Sequence, residues 1–256
     1  MNIEADATGR RISENTMDAA EILERLNVRG ELPVEAIRAA SANRAEMAPI
    51  FVAQIEAYLA SGAAAVALDA VFFMVYMLAE WREHSAYRPL ARLLRRPVDD
   101  ISDVIGYDAA TEYTQRIMAS VFDGDPEPLY AVIRDPLADE YVRARMCEVV
   151  GMVARLGELP RAEAAMFLGA FYAEMMPQDP QTSYVWIGWQ NAIAMLGLVE
   201  LRPQVGEVFA RGLIAPMWMH FEHFEKDLQK AIDDPAAPPF GGKNEYTLFG
   251  DTIKEL

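Results

Sequence analysis

The chain has 256 residues, 52% of them hydrophobic, and a formal net charge of −16 from 23 basic and 39 acidic side chains. A chain of this length can bury a sizeable core, and its negative charge argues against nucleic acid as a partner because a phosphate backbone would be repelled. The single cysteine, Cys147, excludes a disulfide framework and a cysteine-rich zinc site. It is predicted to be a packed thiol in a reducing, cytoplasmic compartment.

The chain divides into three predicted parts of one domain. Residues 1–43 form an N-terminal tail and one or two entry helices, and Met1 to Asn15 lacks the apolar core of an export signal. Residues 44–232 form a helical repeat array. Residues 233–256, which we call the tail, are Pro/Gly-rich and loop-like, and they carry enough apolar side chains near their end to dock back onto the array.

One apolar run, residues 63–79, resembles a membrane span. It contains Asp69 and is shorter than the roughly 20 apolar residues that cross a bilayer. A helix surrounded by neighbouring helices has the same composition. The run therefore predicts a buried helix, and a membrane is not an expected partner.

Apolar residues recur at helical spacing in every segment long enough to judge, and no alternating strand pattern competes. Examples are Phe51, Ile55, Tyr58 and Leu59, then Val142, Met146, Val149, Val150 and Val153, then Val185, Trp189, Ala192, Ile193 and Leu196. The pattern predicts an all-α fold.

Prolines and glycines mark the expected helix ends. Prolines in a first turn leave no helical hydrogen bond unmade, and glycines suit the positive φ of a C-cap. The predicted starts are Pro33, Pro126, Pro160 and Pro203, and the predicted ends are Gly62, Gly124, Gly151, Gly157, Gly197 and Gly212.

Helical hairpins of one kind recur along the chain: a helix ends, four to eight residues pass, and a second helix opens at a proline. The string Asp135-Pro136, Val142-Arg143, Val149-Val150-Gly151 resembles a HEAT-type repeat. The resemblance implies an α-solenoid, a right-handed superhelix of stacked HEAT-like antiparallel helix pairs, with Val142 buried and Arg143 near Asp135.

A second resemblance concerns the whole array. Its motifs are residues 78–83 with Tyr87-Arg88-Pro89-Leu90, the run 117–125, and the turn Leu196-Gly197-Leu198. They are similar to an uncharacterised bacterial family, domain of unknown function 1186, over residues 20–225. The chain departs from the family pattern at Tyr107-Asp108, before Thr111-Glu112, where the aspartate register is shifted. Some relatives carry a cysteine-rich zinc tail that this chain lacks, so the resemblance implies a fold and no activity.

Three residues form a weak candidate metal site: His220, His223 and Asp227. On one helix, positions three, four and seven apart share a face and could hold a divalent ion. The simpler interpretation is that they border the apolar stripe Met217, Phe221, Phe224 and Leu228. No catalytic motif and no cofactor are predicted.

The aromatic group Tyr184, Trp186 and Trp189 is the best candidate for partner binding. Trp189 belongs to the apolar stripe, whereas Trp186 lies about 100° away and is either partly exposed, as tryptophans at binding surfaces are, or buried by the neighbouring helices of a stack. Three functions remain open: a non-enzymatic interaction scaffold for a protein or peptide, possibly basic; a metal-binding protein or metal-dependent enzyme; and a self-associating protein with an interface from Met217 to Phe224.

Overall fold

A computed structural model describes residues 17–106, 113–176, 183–242 and 244–256. The described residues form fourteen α-helices and contain no strand, which confirms the all-α prediction. Met1 to Asn15 and the motif with Tyr107-Asp108 and Thr111-Glu112 lie outside them. The helices are α1 (Ala19–Leu26), α2 (Val34–Ala42), α3 (Arg44–Ser61), α4 (Leu68–Glu80), α5 (Tyr87–Leu93), α6 (Val98–Ile105), α7 (Thr114–Val121), α8 (Glu127–Arg134), α9 (Glu140–Arg155), α10 (Arg161–Met175), α11 (Val185–Leu196), α12 (Arg202–Ala210), α13 (Phe221–Asp233) and α14 (Thr252–Glu255).

Most of these helices lie in two rows. Helices α4, α7, α9, α11 and α13 pack side by side in that order, and we call them the tail-facing row. The second row begins with α3, α5 and α8 in contact. It continues through α10, where Phe167 stacks on Tyr130 of α8 with ring centroids 3.7 Å apart, and through α12, where Glu207 accepts a 2.6 Å hydrogen bond from Tyr172. Helices α1 and α2 pack against α4.

The predicted helix starts agree with the structure. Pro33, Pro126 and Pro160 are N-cap residues, and Pro203 lies in the first two positions of α12. Asp139 caps α9, because its side chain accepts hydrogen bonds from the first main-chain N–H groups of that helix. These local signals fix where each helix begins.

One predicted helix end is wrong. Gly151 lies inside α9 rather than at its end. A Cβ there would be 3.0 Å from the sulfur of Met195 and 3.3 Å from the Cα of Ala192, both on α11. The glycine is needed because α9 and α11 approach closely, and sequence periodicity cannot detect such an approach.

The buried positions follow the apolar stripes. Val142 and Cys147 of α9 are fully buried, and burial raises the pKa of the Cys147 thiol. Arg143 donates a 2.8 Å hydrogen bond to the carbonyl of Ile133, two residues before Asp135. The apolar run at residues 63–79 forms mostly α4, and no helix in the described ranges is long and apolar enough to cross a membrane.

Candidate functional site on the tail-facing row

The tail turns back after α13 and crosses the tail-facing row in reverse order. Near its start, Arg155 of α9 donates a 2.7 Å hydrogen bond to the carbonyl of Ala237, and Lys230 of α13 reaches that of Pro238. Near its end, the main-chain N–H of Thr252 donates a 2.8 Å hydrogen bond to Glu80 of α4. The expectation that the tail could dock back onto the array is met, and α14 is its last helix.

Several side chains of the row bind the main chain of the tail. Gln115 of α7 donates to the carbonyl of Glu245 at 3.2 Å, and Arg116 donates to the carbonyls of Thr247 and Leu248, each at 3.2 Å. These contacts bind main-chain groups of a tail made of turns, bends and one short helix, so they do not depend on the identity of the tail side chains at those positions.

Arg116 makes the largest number of contacts with the tail among these residues, and it is only 5% exposed. Besides the two carbonyls, its guanidinium contacts both carboxylate oxygens of Glu255 and lies 5.4 Å from the ring centre of Phe249. Burial alone would raise the pKa of the Glu255 carboxyl, but the contact with Arg116 outweighs it and holds that pKa below its usual value.

A buried polar cluster lies between α9, α11 and the tail. Its centre is Glu148, which is 1% exposed and accepts hydrogen bonds from Arg145 at 2.8 Å, Asn191 at 2.7 Å and the Tyr246 hydroxyl at 3.1 Å. Burial raises the pKa of the Glu148 carboxyl, and the positive charge of Arg145 opposes that rise. Arg145 also pairs with Glu245 of the tail at 3.4 Å. Arg145 and Asn191 therefore bond Glu148 from within the row, and Tyr246 and Glu245 of the tail complete the cluster.

Phe249 is the buried anchor of the tail. It is 3% exposed, its ring centre lies 5.3 Å from that of Tyr76 in α4, and its N–H donates a 2.8 Å hydrogen bond to Ser120 of α7. We call the row side chains that bond the tail the tail-covered face: Glu80, Gln115, Arg116, Ser120, Arg145, Glu148, Arg155, Asn191 and Lys230.

A family model described as “Protein of unknown function (DUF1186)” matches residues 17–256. The chain belongs to this family. A search of curated proteins and a search of solved structures each found no match. The family match extends through the tail, so the tail and the helices that it crosses belong to one family unit. Nothing in this match indicates catalytic activity.

In this member of the family, the structure shows the second of the two alternatives for Trp186, burial by neighbouring helices. Trp186 is fully buried, because Phe171 and Tyr172 of α10 and Trp189 of its own helix surround it with ring centres 5.3 to 6.3 Å away. Tyr184 is half-buried just before α11, 4.5 Å from Tyr141 and 5.3 Å from Trp218 between ring centres. Trp186 therefore offers no surface to a partner in this structure.

The three candidate metal ligands were expected on one helix, but only His223 and Asp227 lie within α13. His220 is the N-cap of α13 in an extended conformation, with φ −107° and ψ 155°. Its N–H donates to Nδ1 of His223 at 3.3 Å, so the two histidines cap the helix. Burial raises the pKa of Asp227, which lies farther along α13. Among the residues that the structure describes, no group of three or more His, Cys, Asp or Glu side chains is arranged to hold a metal.

Sequence reasoning missed the tail-covered face. A signal was present, because Arg116 and Glu148 are charged residues at buried positions of apolar helices. Buried charges need partners. Glu148 pairs with Arg145 of its own helix, whereas Glu255 on Arg116 and Tyr246 on Glu148 come from the tail, more than 90 residues away in sequence.

Proposed function

We propose that this protein is a non-enzymatic interaction scaffold of the α-solenoid type, which binds protein or peptide segments across the tail-covered face. The proposal has two parts: the stacking of HEAT-like helix pairs into a right-handed superhelix, and recognition of a peptide segment by one row of that stack. A cytoplasmic location without nucleic-acid partners belongs to the same proposal, because the chain is strongly acidic and has one buried thiol.

The spacing of polar contacts supports the stacking. Tyr87 bonds the carbonyl of Asp125, 38 residues later. Two further contacts, Arg95 with Asp135 and Arg134 with Glu174, each span 40 residues. HEAT-type repeats are about 40–47 residues long, and equivalent positions of successive repeats touch in such a stack.

The observation that carries the proposed function is the C-terminal segment already bound along the row. Side chains of α4, α7 and α9 hold the tail by its main-chain N–H and C=O groups. Main-chain hydrogen bonds of this kind give affinity for peptides in peptide-binding grooves. The ring of Phe249 packs on Tyr76 beside these polar contacts, so the row offers both main-chain hydrogen bonds and an apolar pocket.

A peptide-binding measurement tests this function. Full-length protein carrying Phe249→Ala has a weakened tail and an intact face. A fluorescein-labelled peptide of residues 244–256 should then bind in a saturable way by fluorescence anisotropy, and unlabelled peptide should compete. Adding Arg116→Ala should abolish binding, because the carbonyl and carboxylate contacts of the guanidinium are lost. Absence of binding to a folded Phe249→Ala protein would remove the proposed function.

Self-association is a second candidate, supported by one apolar surface. Met217 is 88% exposed and Trp218 is 38% exposed in the loop before α13. Next to them an open cleft of about 400 Å³ is lined mainly by apolar residues, among them Phe209, Ile214 and Met219. Light scattering across a concentration series tests this candidate. A mass that stays monomeric at high concentration, in both parent and Met217→Lys protein, would reject it.

The metal-dependent alternative has no comparable support. His220 and His223 hydrogen-bond within the first turn of α13, and the described residues hold no metal-type cluster.

A further inference from the structure

We infer that the partner recognised by the tail-covered face is an acidic peptide segment with two aromatic anchors, and that it binds in competition with the protein's own tail. This inference rests on the proposed function and adds the chemistry of the partner. The tail is then an intramolecular mimic of that partner. A partner of this kind is opposite in charge to the basic one expected from net charge alone.

The charge of the face supports an acidic partner. The chain carries a net charge of −16, yet Arg116, Arg145 and Arg155 all direct hydrogen bonds toward the tail. The tail supplies two carboxylates: Glu245 forms an ion pair with Arg145, and Glu255 forms one with Arg116. The Arg116 side chain is only 6% exposed and its guanidinium pairs with Glu255, so an occupant that displaces the tail should supply a carboxylate there. Arg145, 13% exposed, pairs with Glu148 in its own helix and takes a second carboxylate from Glu245 of the tail.

Two aromatic residues three positions apart provide the rest of the recognition. The Tyr246 hydroxyl donates to buried Glu148, a contact that phenylalanine cannot make. Phe249 is buried between Tyr76 and Arg116. The contacting residues of the tail are Glu245, Tyr246, Phe249 and Glu255. The partner segment should therefore have an acidic residue directly before a tyrosine and a phenylalanine three positions after that tyrosine. A second acidic residue should follow six positions after the phenylalanine.

The tail is held at a few buried points and is otherwise partly exposed. Among its described residues only Phe249 and Thr252 are buried, and Thr247 and Asp251 are exposed. Phe249 joins the hydrophobic core, and the partly buried side chains of the tail that pack against that core are Phe240, Tyr246, Leu248 and Ile253. Because the tail is tethered, its effective concentration at the face is about millimolar. A free peptide of equal intrinsic affinity therefore competes poorly with an intact tail and well with a weakened one.

The test uses full-length Phe249→Ala protein and three labelled peptides of residues 244–256. The first has the native sequence, the second carries Glu245→Lys, Asp251→Lys and Glu255→Lys, and the third carries Tyr246→Phe. We expect the charge-reversed peptide to bind at least tenfold more weakly than the native one, and the Tyr246→Phe peptide to bind measurably more weakly. Affinity for the native peptide should fall as salt rises. Parent protein and a Met217→Ala control, whose tails are intact, should bind it at least tenfold more weakly than Phe249→Ala protein.

The outcomes separate this inference from the proposed function. If the charge-reversed peptide binds as tightly as the native one, the face binds peptides but the acidic partner is wrong. If no peptide binds to folded Phe249→Ala protein, the proposed function fails as well. Glu255→Ala provides a second, milder host with a weakened tail. If both hosts lose their cooperative thermal transition by circular dichroism, the tail is part of the core and the competition proposal is overturned.

Discussion

Gly188 of α11 lies against the main chain of Ala144 in α9, so closely that a Cβ on Gly188 would overlap the Ala144 carbonyl group. Together with Gly151 on the opposite helix, it lets α9 and α11 approach one another more closely than two helices with ordinary side chains. These two helices carry Glu148 and Asn191, so their spacing also positions the buried polar cluster of the tail-covered face.

Replacing Gly188 with alanine should destabilise the protein. The new methyl group meets main-chain atoms that cannot rotate away, and we expect a loss of about 2–3 kcal/mol or more in the free energy of unfolding, measured by urea denaturation. Gly169→Ala is the matched control. It lies inside α10, and its Cβ would meet only the end of the Leu201 side chain, 3.4 Å away. That change should be neutral or stabilise by up to about 1 kcal/mol through helix propensity. Equal effects of the two changes would contradict the close helix contact.

Val142→Asp should lower the free energy of unfolding by about 3 kcal/mol or more, because a fully buried position receives an unpaired carboxylate. Leu137→Asp is the control from the preceding turn. Leu137 is 87% exposed, so its change should stay within about 0.5 kcal/mol. A small effect at Val142 would show that the stripe of α9 faces solvent instead.

Trp186→Ala should act on stability rather than on binding. The ring is fully buried among other aromatic rings, and its removal should cost about 3–5 kcal/mol in thermal or urea unfolding. Trp218→Ala removes a ring that is 38% exposed and should cost about 1 kcal/mol or less. Comparable losses at the two positions would argue that Trp186 is not a core residue.

Arg116→Ala should release the end of the tail without unfolding the array. We expect amide hydrogen exchange of residues 247–256 to rise at least tenfold, while α9 and α11 stay protected. Arg116→Lys should give an intermediate result, because an ammonium group keeps the charge but cannot reproduce the guanidinium geometry. Arg88→Ala, which removes an exposed ion pair, should leave tail exchange unchanged. Full protection in Arg116→Ala would show that other contacts hold the tail.

The docked tail should loosen in acid. The pKa of Glu255 is lowered by Arg116, so its contribution is present above the pKa of a free glutamate, about 4.3, and is lost as pH falls through the lower value of the docked state. Exchange rates of residues 246–256, corrected for their intrinsic pH dependence, should rise in that window. Glu255→Gln should show a smaller pH dependence, and an identical profile in the two proteins would contradict the role of this carboxylate.

The sequence predicted the helices better than the site. Stripes with a 3.6-residue period and prolines in first turns are local signals, so α2, α8, α10 and α12 begin near the predicted positions. The burial of Trp186 and the role of Gly151 depend on which helices become neighbours, and periodicity within one helix does not contain that information. The tail-covered face was missed for the same reason, since Arg116 meets Glu255 across 139 residues.

The hydrogen bond between Thr252 and Glu80 spans 172 residues and joins the last helix of the chain to one near its beginning. In a stack where each helix pair touches only its neighbours, the ends fray and unfold independently of the middle. A segment that contacts α13, α9, α7 and α4 in turn adds bonds between distant pairs. The tail thus acts as a longitudinal tie, laid over the direct helix–helix contacts of the row.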